Sequence, residues 1–287
     1  MCTGDARCLF LAAMNTSRAV ILAGGKGLRM RSDQPKVLQK VCGEALINMV
    51  LNAIESSSIT DPTITIVPPN QSSIYDAVYQ RTEFAVQKEP NGSGHALLQA
   101  KNKVGDSKYI VVLNGDVPFV NHKTINRLIS AHQNNNAYIT LLTSTLVSSD
   151  GMGRIFRTSN GEIQSIIESG ETDSKTSLID EINAGLYCFK SPWLWEALEA
   201  LNPSRTGEIY ITDLVKIATK QGLSVQSISS DDELESMGIN TRLELSLAEN
   251  LYRKRLTDNL MISGVTMTDP ATVYIDQQVK VEPDTVI

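Results

Sequence analysis

Short apolar runs rich in β-branched residues alternate, along the first half of the chain, with stretches whose apolar positions recur at helical spacing. "RAVILA" (18–23) is followed by Leu46, Ile47, Val50, Leu51 and Ile54, the spacing of one helix face, and then by "TITIV" (63–67). The rhythm continues through a helix near 70–81, "FAVQ" (84–87), a helix near 94–103, "YIVVL" (109–113), a helix over 122–134 and "AYITLLTS" (137–144). Such alternation predicts an α/β fold with a mixed, mostly parallel sheet and helices on both faces. Ligands then sit beyond the carboxyl ends of the strands, and residues with chemistry should gather there.

From about residue 150 the pattern shortens. "GRIFRTSNGEIQSIIE" (153–168) and "NAGLYCFKS" (183–191) read as β pieces of an antiparallel or mixed lid, the first with a Ser-Asn-Gly turn inside it. Helices follow near 191–201 and 212–221, and a long one over about 241–260 carries Leu243, Leu247, Leu251 and Lys254. In the last stretch, "ATVYIDQQVKVEPDTVI", Ile275, Val281 and Ile287 recur every six residues, as do Val273, Val279 and Thr285. A period of six is the mark of a parallel β-helix, and the competing reading is a plain hairpin. The expected organisation is an N-terminal extension (1–17), a main domain (18–240), a linking helix (241–262) and the start of a hexapeptide-repeat β-helix (263–287). Within the extension, "RCLFLAAM" (7–14) faintly resembles a signal peptide, but its apolar stretch is at the short limit and the first strand begins almost at once, so the favoured reading is that Met14 is the initiator.

Composition narrows the partners. With 287 residues and 41% apolar content the chain can bury a proper core, and its formal charge of −6 argues against a general binder of nucleic acid or anionic membrane. No apolar run reaches the roughly 18 residues of a membrane span. Cys2, Cys8, Cys42 and Cys188 form neither a disulfide framework nor zinc spacing, which fits a reducing cytoplasm.

The chemistry begins where the first strand ends. Gly24, Gly25 and Gly27 can turn backbone N–H groups inward around an anion, and Lys26, Arg29 and Lys36 bring positive charge to the same segment. The motif is neither the dinucleotide fingerprint, which needs a glycine where Met30 stands, nor a P-loop. Asp116, at the end of "VVLNGDVP", either caps the next turn or holds a divalent cation between phosphates. Gln87 carries a donor and an acceptor suited to a base edge, whereas His95 has no visible partner and reads as a packed helix histidine.

Taken together, "LAGGKGLRM", "SDQPKVLQKVCG", "GSGHALLQA", "NGDVP", "GRIFR", "IIE", "EINAGLYCF", "GEIYITDLV", "GINTRLELSLAE" and "GVTMTDPATVYID" resemble the uridylyltransferase domain of the bifunctional N-acetylglucosamine-1-phosphate uridylyltransferase and glucosamine-1-phosphate N-acetyltransferase family. The likeness runs from about 18 to 287, with the motifs in the family's order. It implies the Rossmann-like fold of nucleotide-diphospho-sugar transferases, followed by the start of a left-handed β-helix. It further implies a cytoplasmic enzyme that makes UDP-N-acetylglucosamine and pyrophosphate from UTP and N-acetylglucosamine 1-phosphate with Mg²⁺, for cell-wall peptidoglycan and lipopolysaccharide synthesis.

Residue by residue, the resemblance implies that Leu22, Ala23, Gly24, Gly25 and Gln87 contact the nucleotide, with Gly92 and Ser93 near base and sugar. Arg29 and Lys36 would be catalytic, neutralising the triphosphate; Asp116 and Asn240 would hold Mg²⁺; Gly153, Glu168 and Asn183 would contact the amino sugar, with Asn114 beside them. Read locally, Asn240 is a helix N-cap. Leu28 stands where the family usually has threonine, Ser93 where threonine is common, Asn114 where tyrosine is frequent and Gln39 where histidine is frequent. No departure touches a charged or metal-binding position. Full-length relatives trimerise through the β-helix. With only two to three hexads written here, the expectation is uridylyl transfer without acetyl transfer, and a monomer or a weakly associating chain. Two alternatives remain: a sugar-1-phosphate nucleotidylyltransferase for glucose, dTTP or CTP, and a catalytically inert regulatory relative.

Overall fold

The computed structural model describes residues 16–25, 27–145, 151–171, 176–204 and 207–287. Lys26 and the readings that concern residues 1–15, Met14 included, lie outside the described residues. The strands are β1 (Ser17–Leu22), β2 (Lys40–Val41), β3 (Glu44–Ala45), β4 (Ile64–Val67), β5 (Glu83–Val86), β6 (Tyr109–Asn114), β7 (Ile139–Thr145), β8 (Arg154–Arg157), β9 (Ile163–Ile167), β10 (Glu181–Lys190) and β11 (Val225–Ser229). The helices are α1 (Leu46–Glu55), α2 (Ser72–Val78), α3 (Ser93–Leu98), α4 (His122–Asn134), α5 (Ser191–Glu199), α6 (Asp213–Lys220) and α7 (Arg242–Ile262).

The main sheet runs β11-β7-β10-β6-β1-β4-β5, with the β8–β9 hairpin attached through β10. Pairs β1–β4, β1–β6, β4–β5 and β7–β11 are parallel, and β10 is antiparallel to both of its sheet neighbours. Successive residues of the central strands serve opposite faces. Ala19, Ile21, Val111 and Leu113 pack with α1, α2 and α4, whereas Val20, Ile110 and Val112 pack with α3, α5 and α6. That double burial is why these strands read as continuous apolar runs rather than alternating ones.

From β1 the chain steps outward to β4 and β5, then returns to β6 on the other side of β1. The reversal leaves a crevice beyond the carboxyl ends of β1 and β6, where no crossover helix can sit.

The structure departs from the sequence pattern in several places. The segment 183–191 is no lid piece: as β10 it lies inside the main sheet between β6 and β7, and only β8 and β9 form an antiparallel flap. Its alternation is masked because it is buried on both faces. Strand β11 was not expected, since its "VQSIS" is polar and half-exposed at the sheet edge. The helix near 94–103 is shorter than its periodicity predicts, ending at Leu98 before a single 3-10 turn. In the tail, the described residues form turns and one isolated parallel bridge, Thr266 to Val286, and no strand. A parallel bridge is not the antiparallel pairing that the competing hairpin reading requires.

Candidate active site

At the crevice, Gly115 N–H donates to Leu22 O at 3.0 Å and Ala23 N–H to Ile66 O at 2.9 Å, so three strand ends are tied where the glycine turn departs. A cavity of about 640 Å³ opens above them. Leu22, Ala23, Gly24, Gly25, Arg29, Lys36, Gln87, Gly92, Ser93, Asn114, Asp116 and Asn240 all line it. The remaining predicted residues, Gly153, Glu168 and Asn183, line an adjoining cavity of about 380 Å³. The two share Ser93, Asn114, Asp116, Glu208 and Asn240 as a common wall.

After Gly25 the chain turns through Gly27, whose φ of 60° is left-handed and whose place against the Lys36 side chain leaves little room for a Cβ. A short 3-10 turn then buries Met30 and leaves Leu28 and Arg29 exposed at the cavity mouth. Gly92 is a stricter requirement: φ is 98°, and a Cβ there would lie 2.4 Å from Ile209 O. Its neighbours close the wall through Gly94 N–H to Ile209 O at 2.8 Å and Ile211 N–H to Ser93 Oγ at 3.0 Å.

Three charged or polar groups meet between the cavities. Lys36 Nζ pairs with Asp116 Oδ2 and donates to Asn240 Oδ1 at 2.8 Å, with the lysine and aspartate side chains only 15% and 19% exposed. Ile239 N–H also donates to Asp116 O at 2.9 Å, which locks Asn240 opposite Asp116 although 124 positions separate them. The cap reading at this point is corrected by one residue: Thr241 caps α7, forming a capping box with Glu244, and Asn240 is left facing the cavity. The start of α7 is anchored by Arg242, which donates to Met30 O at 3.2 Å and to Gln39 Oε1 at 3.0 Å. Gln39, one of the departures from the family pattern, therefore ties helix to glycine loop.

Asp116 and Asn240 already converge on one ammonium, and both offer hard oxygen donors. Among the described residues no cluster of three or more His, Cys, Asp and Glu side chains could hold a metal. The pair offers oxygen donors of the kind that a hard divalent cation takes.

On the other side, β10 bulges between Asn183 and Tyr187. Gly185, at φ 75°, lets Asn114 Nδ2 come within 2.4 Å of where a Cβ would stand. Asn183 Nδ2 donates to the buried Tyr187 hydroxyl, and Asn183 Oδ1 accepts from Gly185 N–H. Burial pushes the Tyr187 phenol well above its usual range, so it stays a neutral hydroxyl. Glu168 accepts from Thr212 Oγ1 at 2.6 Å, and Gly153 O accepts from Asn183 N–H at 2.9 Å.

Sequence reasoning missed Glu208, Tyr187 and Thr212, which also line these cavities. All three lie inside quoted motifs, but nothing local marks a glutamate between Gly207 and Ile209 as facing a ligand. It also left His95 without a partner. The structure sets His95 Nδ1 3.2 Å from Gln87 Nε2.

A crevice at a strand-order reversal, a glycine turn, and a lysine–aspartate–asparagine cluster define a nucleotide-handling α/β protein. The profile of the nucleotidyl transferase family matches residues 18–234, and the chain belongs to that family. It is 38% identical over 271 residues to the bifunctional protein GlmU of Clostridioides difficile (strain 630), covering 94% of this chain and 59% of that protein. To the bifunctional protein GlmU of Latilactobacillus sakei subsp. sakei (strain 23K) it is 38% identical over 278 residues, covering 96% and 60%. The chain thus spans about 60% of the length of these relatives. In fold it matches a UDP-glucose pyrophosphorylase solved with UDP-glucose (TM-score 0.66, 17% identity, 84% of this chain and 99% of that one). It also matches a Bacillus anthracis protein assigned as a glucose-1-phosphate thymidylyltransferase (TM-score 0.67, 21% identity, 82% and 95%).

Proposed function

We propose that this chain transfers the uridylyl group of UTP to N-acetylglucosamine 1-phosphate, giving UDP-N-acetylglucosamine and pyrophosphate. The observation that carries this reading is the pair of adjoining cavities with Lys36, Asp116 and Asn240 between them. The larger suits a nucleoside triphosphate, the smaller an amino-sugar phosphate, and their common wall is where the reacting phosphates would meet. The sugar phosphate oxygen attacks the α-phosphorus in line, a new P–O bond forms, and the bond to the β-phosphate oxygen breaks as pyrophosphate leaves.

Two anions must approach, so the protein's task is positioning and charge neutralisation. No general base is needed, because the attacking phosphate is already ionised. Lys36 and Arg29 carry the positive charge on the triphosphate side, and the glycine turn offers close backbone approach. Lys36, freed from Asp116 when substrates bind, swings its ammonium to the phosphates. Asp116 and Asn240 would hold a magnesium ion, whose charge would offset the negative charge that develops on the phosphates. Asn183, Glu168 and the Gly153 backbone supply polar contacts for an amino sugar. Residues 18–240 act as the catalytic unit, 241–262 as a linking helix and 263–287 as an appended coil segment. The reaction belongs to the cytoplasmic stage of cell-wall precursor synthesis; among the described residues no helix is long and apolar enough to cross a membrane.

The test is pyrophosphate release by the purified chain across UTP, CTP and dTTP with N-acetylglucosamine, glucosamine and glucose 1-phosphates, with and without Mg²⁺. Turnover with UTP and N-acetylglucosamine 1-phosphate, lost in chelator, is expected. A preference for glucose 1-phosphate with dTTP, or no turnover with any pair, would overturn the proposal.

A further inference from the structure

Gln87, just beyond β5, is 5% exposed and borders the larger cavity beside Gly24. Its carboxamide nitrogen is fully committed. Nε2 donates one hydrogen to Gly92 O at 3.0 Å, and the other faces His95 Nδ1 at 3.2 Å. Among the described residues nothing donates to Oε1. That oxygen sits where a Cβ on Gly24 would be only 2.5 Å away, so the bare glycine leaves it room at the cavity wall.

The two faces of the amide are therefore not interchangeable. Turning it over would set Oε1 against the Gly92 carbonyl, a repulsive contact in place of a hydrogen bond, and would require His95 to move its proton from Nε2 to Nδ1. The Gly92 carbonyl is held in place by a second donor, Ala96 N–H at 3.0 Å. Held this way, Gln87 offers the cavity an acceptor and no donor. A pyrimidine whose N3 carries hydrogen, as in uracil, can donate to it. Cytosine brings a lone pair at the same position and leaves both acceptors unsatisfied, the kind of mismatch that discriminates strongly.

We propose that His95 is a specificity-determining positioning residue: its Nδ1 fixes the Gln87 carboxamide with Oε1 toward the cavity, and so selects nucleotides whose base presents N3–H. The inference rests on the reading of this cavity as a nucleoside triphosphate site. It assigns His95 the tautomer with hydrogen on Nε2 and a role through Gln87 rather than contact with substrate.

The experiment compares kcat/KM and calorimetric binding of UTP and CTP for the intact chain, His95→Phe, His95→Leu, His95→Asn and Gln87→Ala. Phe keeps ring volume without an acceptor, Leu is a second acceptor-free variant should Phe not fold, and Asn restores an acceptor oxygen. We expect the UTP/CTP ratio to fall at least about tenfold in the acceptor-free variants, mainly through KM, with kcat within about threefold. His95→Asn should recover most of the ratio. A folded His95→Phe or His95→Leu that keeps the native ratio while Gln87→Ala loses it would overturn the role of His95 alone. An intact chain with no preference for UTP over CTP would instead remove the underlying reading of the cavity.

Discussion

Lys36 is held by two oxygens that a cation would also use, Asp116 Oδ2 and Asn240 Oδ1, and this makes it a residue with two partners in competition. Lys36→Ala should lower the rate of pyrophosphate release by about 10²–10³, the usual loss for one preorganised charge-stabilising group. Asp116→Ala should abolish Mg²⁺-dependent turnover while leaving the melting temperature within a few degrees, because the side chain lies at the cavity rather than in the core; native rates would remove both residues from the chemistry. Far from the site, His132 is fully buried against Tyr109, with Nδ1 2.9 Å from Thr140 Oγ1. Burial first, and the charge of Lys190 second, hold its imidazole down to about 4. The unfolded chain, with an ordinary value of about 6.5, takes up that proton more readily than the folded one. The stabilisation is therefore complete above about pH 6.5 and is lost progressively as pH falls toward 4. Melting temperatures measured from pH 8 to pH 5 should drop less steeply in His132→Phe than in the parent chain, and parallel curves would contradict the assignment.

Between residues and fold, the placement of Asn240 opposite Asp116 rests on one buried carboxylate. Glu235 is 1% exposed and accepts from Asn121 Nδ2 at 2.6 Å, Thr124 Oγ1 at 2.6 Å and Ser230 Oγ at 2.7 Å. Asn121 caps α4 and stands just beyond Asp116, whereas Glu235 stands just before Asn240, so this clamp joins the two segments that must meet. Removing it leaves the buried Thr124 hydroxyl and the Asn121 cap without their shared acceptor, and Glu235→Ala should cost about 1–3 kcal/mol in chemical denaturation. It should also raise the Mg²⁺ concentration needed for half-maximal rate, a shift that a purely structural role would not produce. Strand pairing explains the elements that sequence pattern misread. β10 carries no alternation because β6 and β7 flank it and helices cover both faces, and β11 carries no apolar run because it is an exposed edge.

At the scale of the whole molecule, the third apolar cluster joins the glycine-loop end to the long helix, with Met30, Val41, Leu46, Phe119, Ile239 and Ala248 packed together. The tail docks on the same region: Gln277 N–H donates to Cys42 O at 2.9 Å, Gln278 Nε2 to Glu44 Oε2 at 2.8 Å, and Arg253 lies over the Tyr274 ring. Val265 and Met267 are its buried apolar residues. Deleting residues 264–287 should lower the melting temperature by several degrees yet leave pyrophosphate release within about threefold, since nothing beyond Asn240 lines either cavity. What the chain determined by itself was whatever rests on local order: the strand–helix rhythm from β1 to β7, the glycine turn after β1, and the motif order that resembles a sugar nucleotidyl transferase. The tertiary structure alone decided the insertion of β10 into the sheet, the meeting of Lys36, Asp116 and Asn240, the hold of Glu235 on both segments, and the pairing of His95 with Gln87. Each of these depends on contacts between positions far apart in sequence or on which face of an element is covered, and neither is written in the spacing of nearby residues.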